Sequence, residues 1–291
     1  MKHYIHQIFY SPESRARLDP GFIPLDNSGQ RPDWYEYWPI RRFLLEKTLD
    51  PHAHYGFFSP KFAEKTGLTS AQVAQFLADT PDDVDVVTFS PYFSNIAFFR
   101  NVFEQAEYWH PGIASTLAGV LKLIAPHRDC EPLMNGLVMS AAGTVYCNYF
   151  VAKPRFWQHW LALCERIFEV AEAGGTELAA QLNSDRRYVL PTPAKVFVIE
   201  RIVSIILSTE PDRWKVRNYD STVLLADNGL LDGKYREEMV VLDALKYAAS
   251  VTGFRGYYEQ FVRARERLLM RYQSESAAPR QSAPVGRLRS R

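Results

Sequence analysis

His54 to Phe62 reads HYGFFSPKF: a short run of strand-forming residues, a small polar residue, a proline, and then a basic, helix-compatible start. Proline cannot donate to a β-ladder but fits the first turn of a helix, so Ser59-Pro60 marks a strand end that turns into a helix. The same punctuation recurs on either side. Tyr4 to Tyr10 runs into Ser11-Pro12, and Asp85 to Phe89 is closed by Ser90-Pro91. Repeated strand, Ser-Pro and helix units predict an α/β fold with a mostly parallel sheet flanked by helices, its ligand-contacting loops gathered along one edge.

Further elements follow from periodicity and capping. The segment after Ser11-Pro12, as far as Pro32, is rich in Pro, Gly, Asp and Asn and reads as an extended loop. Asp33 caps a helix to about Lys47 that Pro39 interrupts. Thr69 or Ser70 caps one through Ala78, and helices are expected over 95–107 and 112–124. Thr144 to Val151 reads as a strand, Pro154 opens an amphipathic helix to about Ala173, and Ala194 to Ser208 forms another. Beyond Glu210, Val223 to Ala226 reads as a strand, with helices over 235–249 and 257–272. The expected organisation is one domain over 1–272, with 210–272 as a helical appendage, and a disordered basic tail over 273–291, where Ser, Ala, Pro and Arg dominate.

Composition narrows the class. The 291 residues carry a net charge of +1 and are 14% aromatic, so a general nucleic-acid binder is not indicated, and aromatic faces suited to flat rings or sugars are plentiful. Cys130, Cys147 and Cys164 form no CxxC pair, which points to neither a zinc site nor a disulfide framework. With no leader-like start and no apolar run of about 20 residues, the expected location is the cytoplasm, with room for peripheral contact at the inner face of the inner membrane through the basic tail.

Val196 to Leu207, VFVIERIVSIIL, places Glu200 and Arg201 side by side in an otherwise apolar helix. A buried ion costs several kcal/mol unless it is compensated, so the pair either lines a wet site or sits in a closed network. No P-loop, GxGxxG, nucleophile elbow or HExxH is present. The remaining candidates are polar residues among aromatics at strand and helix ends: Tyr10 and Ser11, Asp26 and Asn27, Asp33 and Glu36, Lys61 and Lys65, Glu104, His110, Asn148, and Glu200 with Arg201. Asp83-Val84-Asp85 has the spacing of a metal-holding DxD, Mn²⁺ or Mg²⁺ being the matching ions, yet it precedes a strand where such motifs end one. Asn148 interrupts an apolar strand, where its amide reads a ligand or ties a loop; His110 is a base, a ligand or a turn cap.

Taken in chain order, these blocks resemble a bacterial family of glycosyltransferase-like proteins from capsule and O-antigen gene clusters, with a GT-A-like nucleotide-sugar fold. RPDWYEYWPIRRFL (31–44) looks like that family's early helix, HYGFFSPKF like the strand after it, and DVDVVTFSP (83–91) like the next. CNYFVAKPRFWQHWL (147–161) resembles its Asn-bearing strand and Trp-rich helix, and Glu200-Arg201 its late Glu-Arg. The resemblance spans roughly residues 3 to 210, and SPK stands where the family has a His-Tyr-Arg-Arg run. It implies transfer of a sugar from a nucleotide-sugar donor, UDP-sugars favoured, to a glycan or lipid-linked acceptor in surface-polysaccharide assembly. Laid over the residues, it implies Glu200, Glu36 or Asp26 as the catalytic carboxylate, Tyr10, Ser11, Lys61 and Arg201 at the donor, and His110 and Asn148 at the acceptor or sugar. The alternatives are a non-catalytic glycan-binding or scaffold subunit and, less well supported, a hydrolase using a carboxylate pair.

Overall fold

Strand β1 (Lys2–Phe9) lies inside the sheet, and its last five residues are buried. The computed structural model describes residues 1–186, 190–224 and 229–277. After β1 come α1 (Pro12–Arg15), β2 (Ile23–Asp26), a 3₁₀ turn over Pro32–Trp34, α2 (Tyr37–Glu46), β3 (Ala53–Phe58), α3 (Phe62–Thr66), α4 (Ser70–Ala78) and β4 (Val86–Thr88). A helical excursion follows: α5 (Phe93–Phe98), α6 (Val102–Trp109), α7 (Ile113–Ile124) and α8 (Cys130–Gly136). The chain then re-enters the sheet as β5 (Phe150–Ala152) and continues through α9 (Pro154–Ala173), α10 (Glu177–Asn183), the small ladder of β6 (Asp185–Arg186) with β7 (Thr192–Pro193), α11 (Ala194–Ile199) and α12 (Ile202–Thr209). Edge strand β8 (Val216–Asn218) precedes the hairpin of α13 (Arg236–Thr252) and α14 (Arg255–Ala277).

The sheet order is β2-β1-β3-β5-β4-β8. β1 pairs parallel with β2 on one side and β3 on the other, and β4 pairs parallel with β8. Among the described strands of this sheet β5 alone runs antiparallel, to both β3 and β4. The fold is therefore α/β with a mostly parallel sheet flanked by helices, as the Ser-Pro punctuation predicts. Chain direction has two consequences. From β1 the chain moves outward to β2, and from β3 it moves the opposite way to β4, so the topological switch point lies between β1 and β3. Because β5 is reversed, its amino end, with Cys147 to Tyr149, meets the carboxyl ends of β1, β3 and β4.

Local chemistry explains each element. Gly56 stands in the middle of β3 because a Cβ there would come within 2.8 Å of Val151 and 3.2 Å of Ile5 on the flanking strands. α9 buries Phe156, Trp157, Trp160, Cys164, Ile167 and Ala171 on one stripe; Phe150 stacks on Trp157 at 4.3 Å, and the Trp157 indole donates to the Tyr55 carbonyl at 2.9 Å. Pro39 falls in the first turn of α2, where its missing N–H is harmless, so it does not interrupt that helix.

Several expected elements differ. The helix expected over 95–107 is two, because the Asn101 side chain caps α6 by accepting from the Phe103 and Glu104 amides, both at 3.0 Å. The strand expected from Thr144 shrinks to β5, since Cys147 (φ 61°) and Asn148 (φ 53°) are both left-handed. β2 and β8 have no legible alternation and are not among the expected strands. β8 joins the main sheet, so the segment after 210 is not purely helical. Ser221–Val223 is a 3₁₀ turn; the rest of the strand expected there reaches residues outside those described. Residues 273–277 continue α14, and the tail beyond lies outside the described residues. The hairpin is fastened by Lys246, fully buried, whose ammonium donates to the carbonyls of Phe99 and Met139 at 2.7 Å each and to that of Ile96.

His6 makes stability depend on acid. It is buried between the rings of Phe43 and Phe57, with centroids at 4.6 and 5.2 Å, and burial pushes its pKa down to about 4. The unfolded side chain titrates near 6.5, so below that pH the unfolded state binds a proton that the folded state refuses. The contribution is complete above about pH 6.5 and is lost as pH falls toward about 4, by up to on the order of 3 kcal/mol. Urea midpoints should fall across that window, and His6→Phe should flatten the fall; an unchanged slope would exclude this role.

Candidate active site at the carboxyl edge of the sheet

The edge defined by the ends of β1, β3 and β4 and the start of β5 collects a polar cluster that the chain order hides. Tyr10 follows β1, Lys65 lies on α3 after β3, Cys147 and Tyr149 precede β5, Glu36 opens α2, and Glu200 sits at the join of α11 and α12. The Lys65 ammonium lies 3.2 Å from the Cys147 sulfur and 5.8 Å from the ring centres of Tyr92 and of Tyr149. Tyr149 pairs its hydroxyl with Ser59 at 2.5 Å. Tyr10, Glu36, Lys65, Tyr92, Cys147 and Glu200 all keep some accessible surface although Glu200 and Cys147 are densely enclosed by protein. These residues are deep in the protein yet keep an accessible face.

The electrostatics couple these groups. Burial pushes the Glu200 carboxyl above its ordinary range; Lys65 pulls it back, and Glu36 adds to the rise. Burial opposes the charge of Lys65, and the nearby Glu200 favours it. At neutral pH the thiol and the Tyr149 phenol keep their protons, since burial pushes Cys147 up to about 12 and Tyr149 well above the usual tyrosine range. Glu200 is then the carboxyl group whose ionised form Lys65 favours. Among the described residues no salt bridge closes on Glu200. The Tyr10 phenol is likewise pushed up by burial and by Glu36, and its sealed hydroxyl makes no well-formed hydrogen bond. Asn148, 3% exposed, leaves its Oδ1 without a partner at the same edge. Buried polar atoms left without a partner are uncommon, and two of them lie at this edge.

Glu200 and Arg201 part company. The helix breaks between them: the Arg201 amide bonds back to Val198, three residues earlier, rather than to the Phe197 carbonyl. The Arg201 guanidinium reaches that carbonyl instead, donating to Phe197 O at 2.5 Å, to Gln105 Oε1 at 2.6 Å and to Val102 O at 3.3 Å. It is 3% exposed and committed to α6 and α11, which corrects its expected place at a donor diphosphate.

The other expected residues divide. Glu36, Tyr10 and Glu200 come together, with Asn148 on the same edge. Ser11 borders them but serves as the cap of α1, its hydroxyl accepting from the Ser14 amide at 3.3 Å. Lys61 is exposed at the start of α3, and Lys65, one helical turn on, is the lysine that enters the cluster. Asp26 is exposed at the end of the outer strand β2, where the Ser28 backbone amide, at 2.7 Å, lowers its pKa. His110 packs its ring on Phe197 at 3.8 Å, beside the Arg201 network.

Asp83 and Asp85 lie at the opposite edge of the sheet, ahead of β4. Asp85 accepts from Arg155 through both carboxylate oxygens and from the Lys215 amide at 3.0 Å, with Lys153 at 3.8 Å, while Asp83 pairs with Lys215. Carboxylates neutralised by three cations do not fit a divalent metal. Among the described residues no group of three or more His, Cys, Asp and Glu is arranged to hold a metal ion. No helix among them is long and apolar enough to cross a membrane. Tyr92, Cys147 and Tyr149 are additions that the linear chain does not signal. Tyr149 is next to Asn148, but only the left-handed turn at Cys147 and Asn148 presents both at this edge.

No family model matches the chain, and no curated protein matches its sequence. Among solved structures it is similar to the apo structure of WbbM, a bifunctional glycosyltransferase, at 13% identity and a TM-score of 0.45. The match covers 75% of this chain and 44% of that one, so this chain spans less than half the length of the structure it matches, and the likeness assigns no residue a role.

Proposed function

We propose that the chain is a glycosyltransferase that moves a sugar from a nucleotide-sugar donor, a UDP-sugar first among them, to a glycan or lipid-linked acceptor of bacterial surface polysaccharide, within a GT-A-like fold. The observation that supports this reading most is the convergence of Glu200, Glu36, Lys65 and Tyr10 at the sheet's carboxyl edge, beside the switch point where α/β sheets bind ligands. Sugar transfer develops negative charge on the leaving diphosphate and requires a proton to leave the acceptor hydroxyl. In this reading Lys65 meets the diphosphate, Glu200 takes the acceptor proton, Glu36 holds sugar hydroxyls, and the tyrosines offer ring faces to base or sugar.

Two measurements test it. A nucleoside diphosphate at a hundredfold excess over its Kd should raise the melting temperature by roughly 5 °C. Silence from UDP, GDP, dTDP and CMP alike would sink the reading; bound glycan without any nucleotide response would instead identify a non-catalytic subunit. Lys65→Met should abolish the nucleotide response and slow transfer by about a hundredfold or more. Transfer at the wild-type rate by that variant would remove Lys65 from the donor site.

A further inference from the structure

Among the described residues, the outward face of α13 is covered by nothing and carries a cluster of exposed apolar side chains. Val240, Val241, Tyr247 and Val251 are 45%, 54%, 51% and 66% exposed, and Phe254, just past the helix, is 66% exposed. Ala244 is exposed among them. The inward face, carrying Met239, Leu242, Lys246 and Ala249, lies nearly half a turn away and packs within the fold, so the exposed stripe is a second apolar face. Between Met239 and Phe254 no exposed position carries a charge. A helix with solvent on its outer side ordinarily places charges there.

Spacing identifies what would cover it. Val240, Ala244, Tyr247, Val251 and Phe254 follow one another at intervals of four, three, four and three, the a/d rhythm of a helix-pairing seam. The first four read the same in size and spacing from either end except that Ala244 exchanges with Tyr247. Antiparallel pairing with an identical helix therefore sets Val240 against Val251 and the small Ala244 against the large Tyr247, the self-complementarity that a two-fold interface requires. The ends agree in charge as well: antiparallel pairing brings Glu237, in the first turn, close to the partner's exposed Arg255, the first residue of α14, which within its own chain pairs with Glu259 at 2.8 Å. A membrane-surface helix would instead be flanked by Lys and Arg along its length.

We propose that α13 is the interface of a homodimer in which two copies of the chain pair their outward stripes antiparallel about a two-fold axis near Leu245 and Lys246. Sedimentation of the full chain at micromolar concentration is expected to show a dimer. Ala244→Glu and Tyr247→Glu, each at an exposed position, should raise its dissociation constant about tenfold or more with helix content unchanged by circular dichroism. A mixture of Val240→Cys and Val251→Cys chains should cross-link one variant to the other on oxidation, while neither variant cross-links through that position alone, because only an antiparallel partner brings the two positions together. A wild-type chain that sediments as a monomer overturns the proposal, as does a dimer indifferent to both glutamates. So does a monomer that floats with vesicles containing phosphatidylglycerol and loses that binding in Ala244→Glu, which would assign the face to lipid.

Discussion

Glu200→Gln is expected to lower sugar transfer by about 10²–10⁴-fold, the range of a lost general base, while the melting temperature stays within about 3 °C of wild type. Gln keeps the side chain's shape and removes only the ionisable oxygen. No salt bridge among the described residues depends on that oxygen, and burial already disfavours its charge, so the fold loses little. The pH profile gives an independent readout. Because the Glu200 carboxyl is raised, the acid limb of kcat/KM should lie above the range of an ordinary glutamate, and it should disappear from the residual activity of Glu200→Gln. A variant that unfolds would make Glu200 structural; one that retains full transfer would move the base to Glu36.

Arg201→Met is expected to do the reverse, destabilising the chain by roughly 3–5 kcal/mol, about 10 °C in melting temperature. The guanidinium donates to three acceptors, and its removal withdraws that donor from Phe197 O, Gln105 Oε1 and Val102 O in the interior. Arg201→Lys should recover only part of the loss, since one ammonium on a flexible stem cannot span the three directions of the fork. Thermal melts of the three proteins, together with nucleotide affinity measured below the transition, separate the effects. A stable Arg201→Met with weakened nucleotide binding would return Arg201 to the donor site.

These neighbours show how far the linear chain could be read. Two adjacent charges in VFVIERIVSIIL signal that something must compensate them, but periodicity does not say that the helix breaks between them or that they then face different surroundings. The β1, β3 and β4 segments were legible because each ends in Ser-Pro, whose chemistry is local, and the buried stripe of α9 was legible for the same reason. Lys61 and Lys65 are equally plausible in sequence. The start of α3 decides between them, leaving one in solvent and directing the other toward Cys147. Asp83 and Asp85 had suitable spacing on the wrong edge, because spacing does not record strand direction.

The sequence by itself determined the α/β class, the turns that end its strands, the apolar faces of its main helices and the need to compensate Glu200 and Arg201. Those properties come from side chains within a few residues of one another, where backbone geometry fixes which positions share a face. The tertiary structure alone decided that β5 enters antiparallel after a long helical excursion, and so which polar groups meet at one edge of the sheet. It also decided that Glu200 keeps an accessible face near Lys65 and Glu36 while Arg201 ties α11 to α6 in the core. Both outcomes depend on pairings between distant segments, whose partners are chosen by burial and hydrogen bonding of the whole chain.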